Sequence, residues 1–244
     1  MMTKTSKPIA LIIGAGDHLG SAIARRFAKE GFHIIATRRR GDLDTLVKDV
    51  QTLGADATAL HSDARDEQQV IELIEKIESE LGPIQVTVFN VGGNVRFGIT
   101  ETSTQVYRKV WEMCALAGFL VGREVAKKML PRQQGTILFT RASASLRGNS
   151  GFAAFSGGKH ALRALAQSMS RELGPQGIHV AHVIVDGLIE NEATKAFLPD
   201  LYASKEADGI IQPDDLAEVY WQLHKQPKSA WTFEQDVRPY IEPW

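Results

Sequence analysis

Between residues 9 and 237, short apolar runs alternate with amphipathic stretches, and this alternation limits what the chain can fold into more than any other feature. The apolar runs lie at 9–13, 32–37, 57–61, 85–89, 135–140 and 179–185, with a last extended segment at 231–237. Bounded by Gly, Asp or Asn and too short for helices, they read as strands. The stretches between them, 19–29, 43–53, 67–81, 103–129, 151–173 and 214–224, read as helices with one apolar face. Strand and helix in regular turn predict an α/β architecture: a doubly wound parallel sheet of about seven strands with helices on both faces. No Pro/Ser-rich linker or repeat interrupts it, so 1–244 is expected to be one domain, with one irregular stretch at 187–211.

Charge and cysteine content exclude several functions. With 28 Lys and Arg against 29 Asp and Glu, the net charge is −1, and no run of five like charges occurs. No nucleic-acid or membrane surface is expected from such a balance. The densest basic cluster, Arg38-Arg39-Arg40, is too short for a polybasic tail. No apolar run approaches the ~20 residues of a membrane span, and no secretory h-region follows the polar N-terminus, so a cytoplasmic protein is expected. Cys114 is the single cysteine: it can form no intrachain disulfide, a Cys-based zinc site is not expected, and it reads as a buried, inert thiol.

The first strand ends in GAGDHLG, residues 14–20, and a helix follows at once. Gly14, Gly16 and Gly20 permit a tight turn, a close backbone approach and close helix–strand packing. With His18 and Leu19, the opening turn of the helix offers N–H groups to a pyrophosphate. A glycine turn between the first strand and helix of a βαβ unit makes the domain Rossmann-like. At the end of the second strand an NAD site usually places an acidic residue for the ribose 2′-OH; here the chain reads Thr37-Arg38-Arg39. Arg38 and Arg39 would instead pair with a 2′-phosphate, so NADP(H) is favoured over NAD(H). Asp17, inside the loop, opposes this by adding negative charge near a phosphate.

The sharpest conflict sits in GFAAFSGGK, residues 151–159. Phe152, Phe155, Leu162, Ala166, Met169 and Leu173 fall at helical spacing and place Lys159 on the inward stripe. A lysine there needs a polar task. One turn earlier, where a hydroxyl acid would complete a carbonyl-reducing site, stands Phe155, which has no proton to give. Gly157-Gly158 costs a helix interior about 1 kcal/mol each relative to Ala, which implies close approach of a neighbouring helix or a cofactor.

Taken in order, these motifs resemble the short-chain dehydrogenase/reductase family over nearly the whole chain. GAGDHLG is similar to its Thr-Gly-x-x-x-Gly-x-Gly motif, with Ile13 for the Thr and His18 for the middle Gly. Asp63, followed by Ala64, stands where the family's Asp contacts adenine. Asn90-Val91-Gly92 resembles its Asn-Asn-Ala-Gly motif, with Phe89 in the first Asn position. Asp186-Gly187-Leu188-Ile189 is similar to the Pro-Gly-x-x segment along the nicotinamide, with Asp186 for the Pro. The resemblance implies hydride transfer between nicotinamide and a carbonyl or alcohol, with proton chemistry by Tyr-x-x-x-Lys, an upstream Ser and an Asn on the long middle helix. Carried over, Lys159 is kept, while the Tyr position is Phe155, the Ser position Ala142 and the Asn position Ala115. Phe152 stands where a related branch carries its Tyr.

Lys159 retains the family lysine's other task, hydrogen-bonding the nicotinamide ribose. Losing a positioned general acid costs about 10²–10⁴ in rate, roughly 3–5.5 kcal/mol. Proximity and orientation supply about 7–11 kcal/mol without it. A relocated donor is sought in Ser143, which a one-residue bulge after Thr140 would bring in, or which bonds its own backbone. Arg141 either reaches an anion or, the favoured reading, forms an exposed salt bridge. His18 lies by the phosphates, and His160 points about 100° from Lys159. Tyr202 either swings over the site or packs in a lid whose Glu190, Glu192, Lys195, Phe197 and Leu198 fit no one substrate class.

Two functions follow: an NADP(H)-dependent oxidoreductase acting on a small carbonyl or alcohol by an altered proton path, or a catalytically inactive NADP(H)-binding sensor or oligomer partner. Trp111, Phe119, Met169 and Leu173 resemble the family's helix–helix interface, so a homodimer or homotetramer is expected. The aromatic C-terminus, 231–244, either covers a neighbouring subunit's site or packs on its own core.

Overall fold

The computed structural model describes residues 4–16, 18–197 and 199–243. Asp17 and Leu198, both named above, lie outside the described residues. Seven strands, all parallel, form one sheet in the order β3-β2-β1-β4-β5-β6-β7. They are β1 Ile9–Ile13, β2 His33–Arg38, β3 Ala57–His61, β4 Ile84–Phe89, β5 Gly135–Ala142, β6 Ile178–Val185 and β7 Glu234–Val237. The chain reverses its direction of travel across the sheet between β1 and β4, and ligands of open α/β sheets bind at such a switch point, beyond the carboxyl ends of the strands.

The two faces are covered by different helices, as the alternation of side chains along each strand requires. Ala10, Ile12, Ile34 and Val183 face α1 Leu19–Ala28, α2 Asp44–Thr52 and α9 Pro213–Lys225. Ile9, Leu11, Ile137 and Phe139 face α3 Glu67–Lys76, α5 Ala117–Met129 and α6 Ala153–Leu173. Both clusters are predominantly apolar, and their burial drives the packing of helices on the sheet.

The long middle helix, expected at 103–129, is realised in three parts. Ser103 caps α4 Thr104–Trp111 by accepting from Val106 N at 3.2 Å. A π-helical turn, Glu112–Leu116, then leads into α5. Ala115 lies inside that turn; π-turns of this kind are frequent at functional sites.

Two further differences concern the lid and the C-terminus. The stretch 187–211, expected to be irregular, contains α7 Glu192–Phe197 and α8 Pro199–Ala203, and a bridge between Ile189 and Ile211 closes it. Tyr202 takes the packing role: its hydroxyl donates to Ile189 O and accepts from Asn191 N, both at 3.1 Å. The C-terminal segment packs on its own chain. β7 pairs with β6, Lys205 meets Glu242 at 3.2 Å, and Tyr240 Oη donates to Glu206 at 3.0 Å. Among the described residues, no helix is long and apolar enough to cross a membrane, and no cluster of His, Cys, Asp and Glu is placed to hold a metal.

Candidate active site

Two adjoining cavities open at the carboxyl ends of the strands, about 560 Å³ and 330 Å³, and share Gly14, Gly16, Asn90 and Gly92. The switch point joins them. Asn90 N donates to Ile13 O at 2.8 Å, and its side-chain amide donates to Gly14 O at 3.1 Å, tying the ends of β1 and β4 together.

The glycine loop is shaped by contact on one side and openness on the other. Gly14 has φ +84°, and a Cβ there would lie 2.7 Å from Asn90 O. A Cβ on Gly20 would stand 2.6 Å from Gly14 O and 2.8 Å from Ala15 Cα, so α1 begins against the loop backbone. Gly16 faces open space, with nothing within 4 Å of its Cβ position. The first turn of α1 has no side-chain cap, and His18, Leu19 and Gly20 line the larger cavity. An uncapped helix start facing a cavity is suited to a pyrophosphate.

Arg38, Arg39, Asp63 and Ala64 line the smaller cavity, with Arg40 and Arg65 beside them. Arg38 donates to Asp42 O at 3.1 Å, and Arg39 lies 3.9 Å from Asp63. The Asp63 carboxylate is occupied by Arg65, whose Nε donates at 2.9 Å and whose backbone N donates at 3.1 Å. Those bonds hold its pKa below the ordinary carboxylate value. Four arginines around one paired carboxylate leave this cavity cationic. Arg65 had no marker in the sequence; it reaches the site because Asp63 turns the chain back on itself.

Lys159 lies at the floor of the larger cavity, 4% exposed. Its Nζ donates to Thr140 O at 3.2 Å and to Val91 O at 3.5 Å, and stands 5.7 Å from the centroid of the Phe155 ring. Burial lowers its pKa. Leu162, Ala166, Met169 and Leu173 are buried along the same stripe, so the helical spacing places Lys159 inward as expected. Met169 and Leu173 belong to the core beneath the sheet, whereas Trp111 and Phe119 are exposed. Gly157 and Gly158 admit the neighbouring helix: Cβ atoms there would meet Tyr107 Oη at 2.9 Å and Cys114 Cβ at 3.0 Å. Cys114 itself is fully buried.

Phe155 and Ala142 line the larger cavity with Gly187, Ile189, Asn94 and Asn191. The two asparagines were not singled out in the sequence; Asn94 stands four residues beyond Asn90, and Asn191 is placed by the turn that begins α7. Ser143 is not among the lining residues. The β5–β6 register runs unshifted through Ala142↔Val185, so the expected bulge is absent, and Ser143 O accepts from Leu146 N and Arg147 N in a tight turn. The exposed salt bridge expected of Arg141 is also overturned. β5 extends two residues past its expected end, which carries Arg141 onto the face of Ile137 and Phe139, and it is 2% exposed. Asp186 is buried between Arg147 at 3.3 Å and Arg238 at 3.5 Å. His160 bonds Ser156 O and takes no part in the cavity lining.

Comparison with known proteins identifies the class that this fold and site define. The family profile of short chain dehydrogenases matches residues 8–202, and the chain belongs to that family. A short-chain dehydrogenase from Rhodopseudomonas palustris is 47% identical, with a TM-score of 0.82 over 97% of this chain and 100% of its own. The 3-oxoacyl-acyl-carrier-protein reductase FabG of Escherichia coli is 27% identical over 192 residues, 79% of this chain and 78% of its own length. ElxO carrying a tyrosine-to-phenylalanine change, solved with NADPH bound, superposes with a TM-score of 0.86 at 22% identity, over 94% of this chain and 96% of its own.

Proposed function

We propose that this short-chain dehydrogenase binds NADP(H) across the two joined cavities and acts on a small carbonyl or alcohol without the family's phenol. The observation that carries this is the position of Lys159, buried at the floor of the larger cavity with its ammonium held by two backbone carbonyls. Gly14, Gly16, His18, Leu19 and Gly20 would hold the pyrophosphate, and Gly187 and Ile189 the nicotinamide end. Arg38 and Arg39 would hold the 2′-phosphate, and Asp63 and Ala64 would border the adenine. The cofactor, when bound, supplies the hydride.

The protein's own residues orient the carbonyl and manage the proton. Lys159 has three N–H donors, and the two carbonyls leave one for a ribose hydroxyl or a developing alkoxide. Phe155, Ala142, Val185 and Ile189 keep that end of the cavity apolar, which strengthens any hydrogen bond made there. ElxO with a phenylalanine in place of a tyrosine, a protein of the same fold, binds NADPH, which supports cofactor binding in this fold with such a change. A second reading, an inactive NADP(H)-binding protein, draws on one specific observation: Phe155, Ala142 and Ala115 together leave the proton-donor positions without a hydroxyl or amide.

Calorimetric titration with NADPH and separately with NADH tests the cofactor assignment. Binding of NADPH near or below about 1 μM, with NADH at least tenfold weaker, is expected. No binding of either overturns the proposal. Substrate-dependent NADPH oxidation that is lost in Lys159→Met separates the enzyme from the inactive binder, which would show binding and no turnover across a broad carbonyl panel.

A further inference from the structure

Lys159 is gripped from two sides by consecutive residues of one strand. Thr140 O accepts from its Nζ at 3.2 Å, and Arg141 Nη2 donates to its backbone carbonyl. We infer that Arg141 is the positioning residue for Lys159, fixing its helical turn against β5 and holding a second buried positive charge beside its ammonium. The inference rests on the reading of Lys159 as the working cation of the site.

The guanidinium lies where a charge has little compensation. Arg141 faces α6 from the carboxyl end of β5, and its Nε and Nη1 have no hydrogen-bond partner among the described residues. The carboxylate that acts on it is shared: Glu234 accepts from Arg163 Nε at 2.9 Å and Nη2 at 3.0 Å, and stands 2.7 Å from His182 Nε2. Burial and the neighbouring Arg163 bring the Arg141 pKa down to about 9, so the group keeps its charge at neutral pH. A cation whose one counter-charge is shared with another arginine acts strongly on its neighbours in a low-dielectric interior. Its effect on Lys159 adds to that of burial and opposes that of Cys114.

The groups around the pair come from several packed elements. Cys114 approaches from the middle helix, Arg163 from α6, His182 from β6, Glu234 from β7, and the Tyr220 hydroxyl, bonded to Thr140, from the opposite face. Of the effects on Lys159, burial and Arg141 lower its pKa, and only Cys114 raises it. The arrangement therefore favours a lysine that gives up its proton more readily than an ordinary one.

The test is the titration of Lys159, followed by NMR of its ε-methylene in the full chain, free of cofactor. Lys159 is assigned by loss of its signal in Lys159→Met. The wild-type midpoint is expected below the ordinary lysine value of about 10.4. Arg141→Gln should raise it by about one pH unit, and Arg141→Lys, which restores the charge, should bring it back down. Glu234→Gln, at the half-buried sheet edge, should lower it further by removing the counter-charge, and it keeps the test open if Arg141→Gln does not fold. An unchanged midpoint in folded Arg141→Gln, or a midpoint that does not fall in Glu234→Gln, overturns the inference. NADPH titration of the wild type runs alongside: absence of binding would sink the proposed function, whereas binding with an unmoved Lys159 midpoint would sink only the role of Arg141.

Discussion

Phenylalanine and tyrosine differ by one oxygen, so a hydroxyl added to the Phe155 ring is the smallest change that would put a proton donor in the larger cavity. Phe155 lines the cavity, and its ring stands 5.7 Å from Lys159 Nζ. Adding the hydroxyls in Phe155→Tyr with Ala142→Ser is therefore expected to raise carbonyl reduction at least tenfold, up to the range of about 10²–10⁴ that a general acid supplies. NADPH oxidation checks the rate, and calorimetry should find NADPH affinity unchanged within about twofold. At the other end of the crevice, Arg38→Ala with Arg39→Ala should weaken NADPH by about 10–100-fold, the loss of one charge-assisted hydrogen bond or more, while NADH is little affected. Equal loss of both cofactors would assign these arginines to the fold rather than to the phosphate.

At the scale of elements, helix propensity and close packing disagree at Gly157 and Gly158, and the contacts decide which wins. A Cβ on Gly157 meets the end of the Tyr107 side chain, which is 46% exposed and free to shift. Gly157→Ala is thus expected to stabilise the protein by up to about 1 kcal/mol. A Cβ on Gly158 meets Cys114 Cβ at 3.0 Å and Val110 O at 3.4 Å, in the buried seam where α6 crosses the middle helix. Gly158→Ala should lose about 1–3 kcal/mol through overpacking. Denaturant unfolding of the two variants gives opposite signs, and equal signs would refute this account. The element order itself was legible because apolar period and glycine turns agree along the chain. The short helices of 187–211 were not, since their stability comes from Tyr202 and the C-terminal segment rather than from local periodicity.

For the whole molecule, buried histidines set the response to acid. Burial, with Arg141 and Arg163 nearby, brings His182 down to about 3, and burial beside His179 brings His224 to about 4. The unfolded chain binds these protons near pH 6.5, and the folded chain does not. Their contribution is therefore complete above about pH 6.5 and declines as the pH falls, by up to about 1.4 kcal/mol per pH unit for each histidine, until about pH 4 for His224 and pH 3 for His182. Burial lowers the pKa of His33 and His179 as well, so unfolding free energies measured between pH 7 and 4.5 should fall with a slope reaching about two protons or more. A flat profile over that range would show that His182 and His224 are protonated in the folded state.

The sequence alone determined the alternation of strand and helix, the doubly wound order, the glycine loop and the inward lysine, because each of these depends on neighbours within a few residues. Period, turn chemistry and helix spacing are local properties, and the chain states them directly. The tertiary structure decided what depends on residues far apart. It drew β5 out far enough to bury Arg141, set Arg147 and Arg238 on Asp186, and kept Ser143 outside the cavity. Each of those outcomes turns on strand register or on an ion pair across the fold, and no spacing along the chain encodes either one.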